Sequence, residues 1–165
     1  MTQKYKYHFL KYNRHHVLKL NFLLVLSMVF LTKETILTLM AAASAFKSKG
    51  AANTAGLYLL IDTSLWPTNL PVLALWWSYM KRSPEGSNVA RRVWHNGRYL
   101  ITLSAFLGAA IFINNHWSNL FSYSPMHFGL LGVYSLILLY VTLSSFVADL
   151  FKEFPDQPNI PEKPT

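Results

Sequence analysis

Four long apolar stretches, at about residues 20–46, 56–80, 99–117 and 128–151, dominate this chain. A helix needs about 20 mostly apolar residues to cross the ~30 Å hydrocarbon core of a bilayer, and each stretch is close to that length or beyond it. None shows the short alternating segments of a transmembrane barrel. Without water to satisfy backbone amides and carbonyls, the helix is the form that satisfies them within one segment. The expectation is an all-α integral membrane protein with four transmembrane helices. Composition agrees, since only 13% of the 165 residues are charged, against about 25% in an average soluble domain. The absence of cysteine excludes a disulfide framework, a Cys-ligated metal site and a thiol nucleophile.

Orientation follows from the basic residues. A basic arm over 1–19 holds Lys4, Lys6, Lys11, Arg14 and Lys19, and the 81–98 loop holds Lys81, Arg82, Arg91, Arg92 and Arg98. The 152–165 tail adds Lys152 and Lys163, which makes twelve on one side, whereas the other side has Lys47 and Lys49. Both termini are therefore expected in the cytoplasm. A cleaved signal peptide ending near Ala43-Ser44-Ala45 is the competing reading, but the charged arm and the apolar run are both too long for it.

The run Lys11-Tyr12-Asn13-Arg14-His15-His16-Val17-Leu18-Lys19 leads directly into Asn21-Phe22-Leu23-Leu24. Phe30-Leu31-Thr32-Lys33, Asn69-Leu70-Pro71-Val72-Leu73 and Arg92-Val93-Trp94-His95-Asn96-Gly97-Arg98 follow. Over roughly residues 11–115 these motifs resemble the YfeZ-like family of uncharacterised proteobacterial inner-membrane proteins. The resemblance implies a bacterial inner-membrane address and no assigned activity.

Lys33 and Glu34 are the most unusual residues within an apolar stretch. Residues 20–46 span about 40 Å as straight helix, which sets Lys33 near the middle of a tilted span. A lone charge there costs roughly 2.5–3.5 kcal/mol and suggests a functional site. The alternative is a shifted or bent helix that carries the charges to an interface. Neighbours on a helix point about 100° apart, so the two are not expected to meet face to face. Asp62 is the third intramembrane polar candidate: a proton or cation site beside backbone broken at Pro67 and Pro71, or an interfacial carboxylate next to an ordinary kink.

In the 81–98 loop, Ser87 or Asn88 is placed to cap a short amphipathic helix with Val89, Val93 and Trp94 on one side. Arg91, Arg92 and Arg98 lie around the other side, as candidates for anionic lipid headgroups or as topology determinants alone. No histidine pair has the i,i+4 spacing of a metal helix. There is no nucleophile elbow and no glycine-rich phosphate loop, so no enzyme activity, metal or cofactor is expected. Basic residues divided among juxtamembrane segments form no nucleic-acid module. Ser104, Gly108, Ala105 and Ala109, with Gly129, Gly132 and Ser135, are small residues at spacings that let membrane helices approach closely. They serve either the bundle or a second protein. Pro155, Pro158, Pro161 and Pro164 recur with the period of a polyproline II helix, read either as a docking edge or as a solvated end.

The leading expectation is a non-enzymatic accessory or assembly subunit that packs with a membrane partner or with itself. The alternative is a small transport or lipid-handling protein using the intramembrane charges and a basic headgroup-binding loop.

Overall fold

The computed structural model describes residues 7–8, 11–12, 17–47, 63–120 and 125–155, and among these every extended element is a helix. Helix α1 is Phe22–Leu31, α2 is Lys33–Lys47, and a 3-10 turn, Thr63–Leu65, leads into α3, Trp66–Met80. Helix α4, Asn88–His95, precedes α5, Gly97–Leu120. Helix α6 is Pro125–Leu143 and α7 is Ser145–Lys152. Asp62, His15, His16 and the prolines at 158, 161 and 164 lie outside the described residues.

Four continuous helices were the expectation, and the described residues contain one. Gly97–Asn115 within α5 is long and apolar enough to cross a membrane by itself. The expected 20–46 and 128–151 spans are each broken, α1 meeting α2 at 64° and α6 meeting α7 at 65°. Counting each bent pair as one span gives up to three. Of the 56–80 stretch, residues 63–80 are described and are helical throughout, and Pro67 stands in the first turn of α3, where a missing N–H breaks no helical bond. Pro71 lies inside α3.

Each break has a local cause. Thr32 closes α1 with φ −102° and ψ 10°, and its Oγ1 donates to the Met28 carbonyl at 2.9 Å. That bond competes with the helical ladder, a known way for Thr to bend a helix. Ser144 has extended dihedrals and caps α7, its Oγ accepting from Val147 N–H at 3.3 Å. Neither stretch contains a Gly or Pro at its break, which is why periodicity alone reads straight through both.

Helix α5 is central, with α3 and α6 on either side of it. Ser104 Oγ donates to the Thr68 carbonyl of α3 at 2.5 Å, and Ala105 is fully buried. A Cβ on Gly108 would sit 2.8 Å from the Tyr134 ring, so that glycine lets α6 approach closely. Gly129 and Gly132 of α6 face open space. The bundle buries polar groups such as Asn69 and Ser104 while Leu39, Leu70, Phe106, Phe128 and Leu136 are exposed.

Candidate functional site

The 81–98 segment folds as the sequence suggests at its start. Ser87 caps α4, accepting from Ala90 N–H at 3.2 Å. The Trp94 side chain of that helix, however, is fully buried. Burying a ring of that size contributes at most about 4–6 kcal/mol. The ring lies 5.0 Å from that of Phe151 in α7 and stacks 6.2 Å from Tyr79. A Cβ on Gly97 would come within 2.3 Å of Phe151, so only glycine allows α7 to close on this corner.

The closure leaves the last carbonyls of α7 needing donors, because a helix end has no intrahelical partners for them. The loop supplies those donors. Trp94 Nε1 donates to the carbonyls of Leu150 at 3.2 Å and Glu153 at 2.9 Å. His95 Nδ1 lies 3.0 Å from the Phe151 carbonyl, which fixes its proton on Nδ1. Arg91 donates to Pro84 and Pro155 carbonyls and lies 4.8 Å over the Phe154 ring. Arg98 binds the carbonyls of Val141 and Thr142 at the end of α6. Positive charge at two helix C-termini also complements their dipoles.

Arg82 is the centre of this knot, and sequence reasoning counts it only as a topology charge. Its guanidinium donates to the Leu18 carbonyl at 2.7 Å and to the Glu153 carbonyl at 2.9 Å, and it lies over the Trp94 ring at 4.3 Å. Glu153 Oε2 in turn accepts from Leu18 N–H at 2.8 Å. Burial pushes the Arg82 pKa down to about 10, opposed by the charge of Glu153 and by Tyr79. Arg82 therefore remains a cation at neutral pH. Folding disfavours the charged form of a group shifted this way, and the cost fades only as pH rises through about 10. The signal in the sequence is the acid that directly follows α7, set against a loop rich in arginine.

Of the three arginines proposed for headgroups, Arg91 and Arg98 are thus partly buried on backbone carbonyls, and Arg92 is exposed. Lys33 and Glu34 do meet, contrary to the expectation from helical spacing. Lys33 Nζ lies 2.5 Å from Glu34 Oε1, and Glu34 is 3% exposed. They stand in the first turn of α2, immediately after the bend, where the ladder has been interrupted and the 100° spacing of a continuous helix no longer decides which side chains meet. Lys33 also lies 5.5 Å over the Phe30 ring. Nearby, Asn69 donates to Thr35 Oγ1 at 2.9 Å and ties α3 to α2.

No curated protein and no solved structure matches this chain. One family model, described as a protein of unknown function (DUF2919), matches residues 7–153. The matched stretch takes in Leu18, Arg82, Trp94 and Glu153 of the knot. On that coverage, the chain belongs to the DUF2919 family.

Proposed function

We propose that this chain is a YfeZ-like multi-pass protein of the bacterial inner membrane, with both termini in the cytoplasm, and that it acts as a non-enzymatic accessory or assembly subunit. The observation that carries this reading is the outer face of α6. A Cβ added at Gly129 or Gly132 would have no atom within 4 Å, and Leu136, Leu139 and Leu143 continue the same exposed face at helical spacing. Small residues on an open face let a second membrane helix approach closely. The engagement of Arg82, Arg91 and Arg98 with backbone carbonyls supports a structural role for the loop.

The chain contains no cysteine, so a single introduced thiol reports cleanly. Gly132→Cys in native membranes is expected to form an oxidative crosslink to a second copy, or to reach a membrane partner through a thiol-reactive linker. Leu103→Cys, on the exposed side of α5, serves as the control. Absence of any crosslinked product, together with a monomer in mild detergent that carries no partner, sinks the proposal.

A second reading, transport or lipid handling, is favoured by one observation, the buried Glu34 beside a helix break. Lys33→Leu combined with Asp62→Leu separates the two. A transporter loses its activity in the double variant, whereas an assembly subunit keeps its crosslink.

A further inference from the structure

Two recesses are lined by residues of α1 and its approach. The first, about 290 Å³, is lined by Lys11, Lys19, Leu20, Asn21, Phe22 and Phe146. The second, about 530 Å³, lies between α1 and α6 and is walled by Leu23, Leu26, Phe30, Val133, Ile137 and Tyr140. That volume falls within the roughly 300–1,000 Å³ of ligand-holding clefts. Phe22 lines the first recess and Leu26 and Phe30 the second; spaced by four residues, the three form one ridge about 12 Å long.

The backbone holds the two lysines together. Tyr12 and Leu18 form an antiparallel bridge, and Lys19 N–H donates to the Lys11 carbonyl at 2.8 Å. Lys11 Nζ is further positioned 5.5 Å over the Tyr7 ring and 5.4 Å over the Phe146 ring. The 65° bend at Ser144 turns α7 away where α6 ends, which brings Phe146 to that level. Among the described residues two carboxylates lie against the arm and both are engaged: Asp149 accepts from Tyr7 at 2.9 Å and lies 3.7 Å from Lys152, and Glu153 Oε2 accepts from Leu18 N–H at 2.8 Å. The Tyr140 hydroxyl, on the wall of the second recess, is buried without a hydrogen-bond partner among the described residues.

We infer that this pair of recesses holds an anionic glycerophospholipid, with its phosphate between Lys11 and Lys19 and an acyl chain along the α1/α6 cleft. The inference rests on the membrane reading above. A cationic mouth opening onto an apolar cleft matches the charge and polarity of such a lipid from end to end. Basic residues near a membrane surface attract anionic headgroups. A zwitterionic lipid satisfies the cleft but gains less at the mouth.

The test starts from carbonate-washed membranes. Protein taken from them into a mild neutral detergent is exchanged against phosphatidylglycerol or phosphatidylcholine, and bound lipid is counted by native mass spectrometry. Phosphatidylglycerol is expected to be retained about ten-fold or more over phosphatidylcholine. Lys11→Ala and Lys19→Ala each lower its retention about five-fold, the change equivalent to ~1 kcal/mol per basic residue at an anionic surface. Leu26→Trp, which fills the cleft from an exposed position, lowers retention of both lipids while circular dichroism and melting stay as in the parent. Equal retention of the two lipids, or unchanged retention in the lysine variants, overturns the headgroup assignment. Unchanged retention in Leu26→Trp overturns the cleft. A chain that carbonate strips from the membrane overturns the membrane reading itself.

Discussion

Helix α6 is treated in opposite ways at its end and along its outer side. At the C-terminal end, Arg98 takes the carbonyls that the break at Ser144 leaves without helical donors, and α7 folds across onto Trp94. Along its outer side the glycines at 129 and 132 meet nothing. The inner side of the same helix presents Tyr134 to Gly108 at a distance that admits no methyl group. Small residues of one type are thus used up inside the chain in α5 and left facing outward in α6. The closed end is where the chain has satisfied its own polar groups. The open side is where its apolar surface still lacks a neighbour.

Substitutions at four positions break or sharpen this contrast, from the largest effect down. Arg82→Ala removes the cation from two carbonyls, from Trp94 and from Glu153. Losing two hydrogen bonds from a half-buried guanidinium costs about 1.5–3 kcal/mol for each bond, and unfolding in detergent should show it as the steepest loss of the set. Arg82→Lys is not expected to rescue it, because a point charge cannot lie flat on Trp94 and bridge both carbonyls. A variant as stable as the parent would mean that the knot is decoration.

Arg98→Ala comes next. It strips a charged donor from Val141 and Thr142, worth about 1.5–3 kcal/mol, and hydrogen exchange should quicken at the α6/α7 junction. Gly108→Ala drives a methyl into the Tyr134 ring, and overpacking of that sort costs about 1–3 kcal/mol. Its readout is a lower melting temperature without loss of helix. Gly132→Ala is the smallest. The folded chain should tolerate it or gain up to about 1 kcal/mol from helix propensity, while any crosslink through that face weakens. Equal melting losses from Gly108→Ala and Gly132→Ala would erase the distinction between inner and outer faces.

Much of the helical content, and the cap at Ser87, is legible in the sequence because hydropathy and capping are local properties. The breaks are not. Thr32 and Ser144 are residue types common in unbroken helices, and what tips them here is a side-chain bond to Met28 in one case and a cap on Val147 in the other. The Lys33–Glu34 contact is hidden for the same reason, since it depends on the bend that precedes it. Both residues still stand out by charge alone. Arg82 is out of reach of local reasoning: its partners Leu18 and Glu153 are 64 and 71 residues away. A basic loop looks the same in sequence whether its arginines meet phosphates or carbonyls. The motifs over 11–115 point to an uncharacterised family, and the family model that matches, DUF2919, is uncharacterised and covers 7–153.

The contact between Leu18 and Glu153 also has a meaning in time. These residues are 135 positions apart, and ribosomes add about 5–20 residues per second. Roughly 7–27 s therefore separate the synthesis of α1's approach from that of the acid that fastens it. Through the later part of that interval Arg82, made 64 residues after Leu18, is the partner already available to the arm. Fastening by Glu153 then comes second, so the Leu18 backbone is tied down in two steps, its carbonyl before its N–H.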